Sequence, residues 1–355
     1  MLEKTGRTGT IARSMTRRSV IGATIAAGVV APFVRRANAA TIKIRLSYVV
    51  PGNWASLLFE KPGLARHLDK SYTFEAVRFQ GTPQLIQAQA TGELEIAAHA
   101  YSSFALAIEN ADMSDLRIIG DEFQDGAPGY YSNEYFVLKD GPIKSVEDLK
   151  GKVIATNVAG SAVDIAMRAM LRKHKLEDKR DVTIIEAPFP TMPAMLQDKK
   201  VVMFPGVLPF SQDPQIRQMT RRLFSQRDAI GRTQMVVWAA RETFIKAHHE
   251  ALADFLEDAL RAERWYLDPA NHEEAVAIAA RISKSPASHW DSWFFKKNGE
   301  AGDYYHDPNG KPDLAALQTN INLQHELGFI KAAFEVKKYA DLSLMDEAAQ
   351  RLGKH

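Results

Sequence analysis

Apolar and polar positions in the sequence follow two different periods, which alternate along the chain. Apolar residues recur at every second position in residues 42–49, which predicts a first strand, and residues 73–79 predict a second strand. A short apolar run predicts a third strand at residues 94–98. Residues 84–91 have helical spacing instead. The next predicted elements are a helix at residues 104–110 and a strand at residues 116–120. This alternation predicts an α/β fold in which helices flank a mostly parallel sheet.

A second run of the same kind begins near Glu134 and predicts a sheet of its own. Its predicted strands are residues 135–138, 151–156, 182–186 and 201–204, and its predicted helices are residues 162–174 and 192–199. A return strand is predicted at residues 234–240, after which the chain is largely helical. The helices predicted there are residues 242–266, 271–282 and 314–327.

The two runs predict two lobes. Residues 40–133 plus 234–355 form the first predicted lobe, and residues 134–233 form a second lobe that is inserted into it. A chain of this length exceeds what one hydrophobic core usually serves. The two crossings between the lobes predict a hinge.

The first 39 residues have the features of an export signal. A basic stretch that includes Arg17-Arg18 precedes an apolar stretch at residues 20–34, and Ala37-Asn38-Ala39 supplies the small residues that a signal peptidase accepts. The arginine pair resembles the twin-arginine motif that directs folded proteins across bacterial membranes. We therefore expect cleavage after Ala39, or else after Ala40, and a periplasmic location. A membrane anchor is the alternative, but the apolar stretch has about fifteen residues and a span needs about twenty.

Removal of that signal changes the charge balance. The full sequence holds 45 Lys and Arg against 43 Asp and Glu, whereas the chain without residues 1–39 holds 38 against 42. The basic excess therefore lies in the discarded segment and does not indicate nucleic-acid binding. Cysteine is absent from the sequence, which excludes disulfides, thiolate metal sites, a cysteine nucleophile and a lipid-modified cysteine.

Small or hydroxyl residues stand just before a predicted helix at three strand ends. The three segments are Gln80-Gly81-Thr82, Tyr101-Ser102-Ser103 and Asn157-Val158-Ala159-Gly160-Ser161. Free backbone N–H groups and the helix dipole attract negative charge at such positions. Ordinary helix capping explains any one of them, but their placement on both predicted lobes favours an anion site between the lobes.

Aromatic residues and one histidine lie near the same strand ends. Tyr48, Trp54 and Tyr101 are expected to enclose the organic part of a ligand. His99 follows a predicted buried strand directly, at the edge where an open parallel sheet presents ligands, and a satisfied interior histidine is the alternative. The candidate ligand-binding residues are therefore Tyr48, Trp54, Gln80, Thr82, His99, Tyr101, Ser102, Asn157, Gly160 and Ser161.

The motifs of common enzymes do not occur in the sequence. HExxH, GxSxG, the Walker loop and GxGxxG are all absent, so we expect no catalytic residue, no metal site and no cofactor. The alternative is an exported, hydrolase-like enzyme that acts on a small molecule in the same cleft and uses His99 as a base.

Three pairs of segments make the chain resemble the substrate-binding proteins of ABC importers in the nitrate, sulfonate and taurine group, the SsuA-like or NMT1-like family. They are FQGTP (79–83) with AQATGELEI (88–96), DLKGKV (148–153) with TNVAGS (156–161), and ELGFI (326–330) with YADLS (339–343). The resemblance implies a type II periplasmic-binding-protein fold whose lobes close on a small solute. It places the ligand against residues 48–54, 80–82, 99–102 and 157–161.

We therefore expect a monomeric periplasmic binding protein that captures a small organic anion, a sulfonate or carboxylate with an apolar or aromatic part, and delivers it to an ABC permease in the inner membrane. Nucleic acid is not an expected partner. A third hypothesis is a ligand-binding adaptor for a sensor.

Overall fold

The structure is a computed structural model, and it describes residues 41–111 and 113–353 apart from the side chain of Glu300. The strands are β1 (Ile42–Tyr48), β2 (Tyr72–Arg78), β3 (Ile96–Ala100), β4 (Leu116–Asp125), β5 (Glu134–Leu138), β6 (Val153–Thr156), β7 (Thr183–Glu186), β8 (Phe204–Gly206), β9 (Thr220–Ser225) and β10 (Thr233–Arg241). The helices are α1 (Trp54–Leu57), α2 (Pro83–Ala90), α3 (Tyr101–Asn110), α4 (Ala162–Lys173), α5 (Met192–Gln197), α6 (Pro214–Met219), α7 (Gln226–Ile230), α8 (Glu242–Ala247), α9 (His249–Leu267), α10 (His272–Ser283), α11 (Ser288–Asp291), α12 (Leu314–Glu326) and α13 (Ser343–Leu352). The predicted export signal lies outside the described residues.

The first sheet has five strands in the order β2-β1-β3-β10-β4. Strand β1 pairs in parallel with β2 and with β3, and β10 runs antiparallel to both β3 and β4. Four strands therefore point the same way and β10 opposes them. The α/β prediction is confirmed, and β10 is the predicted return strand.

The second sheet system is built from residues 134–225. Strand β5 lies between β8 and β9 and opposes both, while β6 and β7 form a parallel pair. Two backbone hydrogen bonds, from Val202 N to Val153 O and from Ala155 N to Met203 O, join β6 to the residues just before β8. The opposing strand β5 thus has the place that β10 has in the first sheet.

The segment around His99 differs from its prediction. The strand was expected at residues 94–98, but β3 runs from Ile96 to Ala100, so that His99 lies inside the strand and Tyr101 begins α3 directly. The apolar run continues through His99 because its ring nitrogens are both hydrogen-bonded within the chain, to Gln89 and to Ser103.

Several short elements carry no clear periodic signal and were not predicted. They are α1, α6, β9, α7, α11 and α13. The predicted helix 242–266 is broken into α8 and α9 at His248. Among the described helices, none combines the length and the apolar composition that a membrane crossing requires.

Asp258 on α9 ties the long helix to the connection between β1 and β2. Its carboxylate is fully buried and accepts hydrogen bonds from the backbone N–H groups of Arg66 and His67, from the hydroxyl of Tyr72 and from Arg261. A buried carboxylate needs such partners because its desolvation is costly. The three donors from outside α9, on Arg66, His67 and Tyr72, anchor the helix against the first sheet.

Replacing Asp258 with alanine is expected to lower the free energy of unfolding by about 3 kcal/mol, because Arg261 and three other buried donors lose their acceptor. Urea unfolding of both proteins measures the difference. Asp291→Ala is the matched control, because that carboxylate is exposed and its removal is expected to change little. Equal stability of the Asp258→Ala protein and the wild type would contradict the anchoring role.

Candidate functional site

A cavity opens where the carboxyl ends of the first sheet meet the segment 157–208. Most of its wall is apolar, with side chains such as Val49, Phe123, Phe189, Leu208 and Val236. The polar residues of the wall are Tyr48, Asn53, Thr82, Glu122, Asn157, Ser161 and Tyr304. A mostly apolar wall with a few polar groups is typical of a small-molecule site.

Four of the predicted ligand-binding residues line this cavity, namely Tyr48, Thr82, Asn157 and Ser161. They come from β1, from the start of α2 and from the loop before α4. The structure therefore brings together residues from both predicted lobes. The hydroxyl of Tyr48 has no hydrogen-bond partner among the described residues, which leaves it free for a ligand.

The N-terminus of α4 presents two free donors to the cavity. Ser161 caps the helix by accepting from the N–H of Asp164, and the N–H of Gly160 is already bound to the Asp164 carboxylate. The N–H groups of Ala162 and Val163, the first two helical residues, have no acceptor in the described part of the chain. Both residues line the cavity, so these donors are available to an anion.

The N-terminus of α2 is arranged differently. Pro83 has no N–H, and the side chain of Gln84 accepts from the N–H groups of Gln80 and Gly81. The Oγ1 atom of Thr82 is buried without a hydrogen-bond partner among the described residues. Thr82 therefore contributes a hydroxyl to the cavity rather than a helix cap.

The loop before α2 and the loop before α4 lie directly against each other. The side-chain amide of Gln80 donates to the carbonyl of Asn157, and that of Asn157 donates to the carbonyl of Gln80. A Cβ on Gly81 would lie 2.8 Å from Cγ2 of Val158, so a larger residue at Gly81 would push the loops apart. Gln80 and Asn157 thus join the two loops, and Asn157 lines this cavity whereas Gln80 lines an adjoining one.

His99 and Ser102 do not line the cavity. His99 is fully buried, and burial lowers the pKa of its imidazole to about 3, so that the ring is neutral. Both of its ring nitrogens have hydrogen-bond partners, which leaves none for a substrate. Ser102 is fully buried, and its Oγ has no partner among the described residues.

Trp54 and Tyr101 stand behind the wall. The indole of Trp54 stacks on Phe295 and donates to the carbonyl of Glu122, and the hydroxyl of Tyr101 donates to the carbonyl of Ala162 at 2.8 Å. Both side chains are almost completely buried. They support residues that line the cavity instead of lining it themselves.

Sequence reasoning missed several lining residues. The side-chain oxygen of Asn53 accepts hydrogen bonds from the N–H groups of Val49 and Val50 and thereby shapes the loop after β1. Tyr304 comes from a segment without regular periodicity. Glu122 lies within β4, beyond the end of the predicted strand at residue 120. The acidic residues that follow the apolar start of this strand were the available signal for Glu122.

Three buried carboxyls occupy β4. Burial raises the pKa of Asp121 and of Asp125 to about 7 and that of Glu122 to about 8. Of the three, only Glu122 lines the cavity, and no Lys, Arg or His is among the lining residues of the described chain. Arg78 lines an adjoining cavity and has no ion-pair partner among the described residues.

One cluster of side chains that could bind a metal ion lies outside the cavity. His67, Asp254 and Glu257 bring ligand atoms within 4.8 Å of one another. Arg351 lies 2.8 Å from the carboxylate of Asp254 and 3.3 Å from that of Glu257. The guanidinium of Arg351 therefore already compensates negative charge on these carboxylates.

The raised pKa of Glu122 predicts a pH-dependent stability. The carboxyl has a pKa of about 8 in the folded chain against 4.5 when free, so its contribution is full below pH 4.5 and is lost as the pH rises to about 8. Glu122→Gln removes this titration. We expect the stability of the wild type relative to that of the variant to fall between pH 5 and pH 8 in thermal unfolding. Glu250→Gln is the control, because it makes the same chemical change at an exposed side chain. A difference that is constant with pH would contradict the assignment.

Structural comparison finds similar folds in binding proteins and in an enzyme. The nitrate-binding protein NrtA of Synechocystis PCC 6803 has a TM-score of 0.68 at 14% identity, over 88% of this chain and 89% of its own. The alkanesulfonate-binding protein SsuA of Xanthomonas axonopodis pv. citri, bound to MOPS, has a TM-score of 0.66 at 17% identity, over 85% of this chain and 99% of its own. The desulfurization enzyme DSZB, as a cysteine-to-serine variant in complex with biphenyl-2-sulfinic acid, has a TM-score of 0.60 at 14% identity, over 87% of this chain and 99% of its own. At these identities the likeness shows the fold.

Comparison with curated protein sequences gives no match. A family model described as the NMT1-like family matches residues 38–280, which include β1 to β10, the loop before α4 and most of the cavity wall. The match covers more than half of the sequence and agrees with the resemblance carried by the FQGTP and TNVAGS segments. This chain therefore belongs to the NMT1-like family.

Proposed function

We propose that this protein is the periplasmic solute-binding protein of an ABC importer and that it captures a small organic anion, a sulfonate or carboxylate, in the cavity at the carboxyl ends of the first sheet. The observation that carries the proposal is the pair of free N–H groups of Ala162 and Val163 at the N-terminus of α4, in an otherwise apolar wall. Such donors hold an anion without a buried cation.

The rest of the wall suits the organic part of the solute. Val49, Phe123 and Val236 offer apolar surface, and the ring of Tyr48 adds an aromatic face with a free hydroxyl. Thr82 supplies a second hydroxyl near the start of α2. The N-terminus of α4 is positioned by hydrogen bonds of Asn157, Gly160 and Ser161. Gln80 donates to the carbonyl of Asn157 and so joins the loop before α2 to the loop before α4.

Arg78 supports the anion assignment from outside the cavity. Arg78 on β2 pairs with Tyr48 on the neighbouring strand β1. Its exposed side chain lines an adjoining cavity, which shares Val49, Val50 and Phe189 with the proposed solute cavity. An unpaired positive charge at this place attracts anions toward the site. The donors of α4 then hold the anion after it has left water.

The names of similar structures agree with this proposal, since SsuA and NrtA are described as sulfonate- and nitrate-binding proteins. By the same analogy the two predicted lobes close about their hinge, the protein acts as a monomer, and an inner-membrane permease receives the solute. Export through the signal at residues 1–39 fits this location.

The enzyme hypothesis lacks its proposed base. His99 is buried, neutral and hydrogen-bonded at both ring nitrogens, so it has no access to a substrate in the cavity. The likeness to DSZB points to no shared nucleophile of cysteine type, because this sequence contains no cysteine. Binding without conversion is the function that the wall supports best.

Isothermal titration against ethanesulfonate, taurine, nitrate, benzoate, benzenesulfonate and uncharged analogues tests the anion proposal. We expect an organic anion to bind more tightly than its uncharged analogue and to be recovered unaltered. Tighter binding of the uncharged compound would contradict the anion assignment, and conversion of the compound would favour the enzyme hypothesis.

Ala162→Pro tests the donors of α4. Proline is tolerated in the first turn of a helix and removes only the N–H of Ala162, so we expect the affinity for the anion to fall roughly tenfold while the thermal stability is retained. Ala162→Gly keeps the N–H and is the control. Equal affinity of the proline and glycine variants would show that this N–H does not contact the solute.

A further inference from the structure

The carboxyl of Glu122 is unusual among the polar groups of the cavity wall. Its side chain is 1% exposed, Trp238 donates to Oε2 at 2.9 Å, and the backbone N–H of Trp54 is the other donor near the carboxyl. The neighbouring carboxyls of β4 differ, because Asp121 accepts from the side chain of Gln234 and Asp125 from that of Ser132. Of the three carboxyls of β4, only Glu122 lines the cavity.

The surroundings of Glu122 favour an uncharged carboxyl. The groups that face it are Asp121 on its own strand, Trp238 on β10, Trp54 on α1, Glu263 on α9, and His306 and Asp307 in the segment before α12. His306 contacts the backbone carbonyl of Glu122 and not its carboxyl. Burial raises the pKa of Glu122 to about 8 and raises that of Glu263 as well, and no lysine or arginine of the described chain compensates a charge on Glu122.

The position of the proton follows from the contact with Trp238. An indole N–H is only a donor, so Oε2 must act as an acceptor. In the neutral carboxyl the O–H is then best placed on Oε1, which accepts from no side chain of the described residues. A buried neutral carboxylic acid of this kind is an effective hydrogen-bond donor toward an oxyanion. An ionised carboxylate at the same place would repel one.

We propose that Glu122 binds the solute as a neutral carboxylic acid that donates its proton from Oε1 to an acceptor oxygen of the bound anion. This inference rests on the proposed function, in which the solute is an anion. Glu122 then adds a donor to the N–H groups of Ala162 and Val163 in a cavity without basic side chains. Ionisation of Glu122 converts a donor into a repelling charge and releases the anion.

The test uses benzenesulfonate or, if it binds more tightly, ethanesulfonate, because neither changes its charge between pH 6 and pH 9.5. We expect the Kd of the wild type to be constant at low pH and to rise about tenfold per pH unit above the pKa of the carboxyl. Titration at pH 8.5 in two buffers with different heats of ionisation should show that binding takes up a proton. An affinity that is constant or increases with pH would overturn the proposal.

Two variants separate the carboxyl from its surroundings. Glu122→Gln keeps a donor but has no titrating proton, so we expect an affinity within a few-fold of that of the wild type at pH 6.5 and no loss up to pH 9.5. Glu122→Met has neither donor nor charge and should bind roughly tenfold more weakly at pH 6.5, again without pH dependence. Asp121→Asn makes the same chemical change in the adjacent buried carboxyl and should keep the pH dependence of the wild type.

The outcomes separate this inference from the proposed function. If the folded wild type binds no sulfonate or carboxylate at any pH, the proposed function fails and this inference fails with it. If it binds them with an affinity that does not change with pH, or if Glu122→Gln keeps the loss of affinity above pH 8, the anion proposal stands and the role of Glu122 is overturned.

Discussion

Desolvation governs the cavity, because its wall combines apolar side chains with polar groups whose hydrogen bonds are mostly made within the chain. The lining residues of the described chain include no lysine, arginine or histidine. A charge taken into this space loses its water and has only fixed donors to replace it. The groups available for that purpose are the N–H groups of Ala162 and Val163, the hydroxyls of Tyr48 and Thr82 and the carboxyl of Glu122.

The donors that remain free depend on those that the chain has already used. The side chain of Gln84 accepts from the N–H groups before α2, and that of Asp164 accepts from the N–H of Gly160 before α4. At these two helix starts, the N–H groups without an acceptor in the described chain are therefore the first two helical ones of α4. Tyr101 holds the carbonyl of Ala162 from behind and thereby orients this turn. The proposed anion site thus consists of donors that local capping leaves unused and not of a cluster of charges.

Several features could be predicted from the sequence because they are local. Pro83 and Ser161 marked the starts of α2 and α4, and the alternation of strands and helices indicated the α/β class. His99 shows where local reasoning fails. An extension of the strand by two residues placed this side chain in the interior, where Gln89 and Ser103 satisfy it, and removed it from the edge of the sheet.

The sequence by itself determined the order of elements, the family and the segments that approach the cavity, since periodicity, capping residues and short motifs are properties of neighbouring residues. Only the tertiary structure decided which side chains line the cavity and which stand behind it. Glu122 and Tyr304 are far apart in the sequence and meet across one wall, while Trp54 and Tyr101 turn away from it. The reason is physical: a side chain's solvation and its hydrogen-bond partners are fixed by packing between distant segments, which no local pattern records.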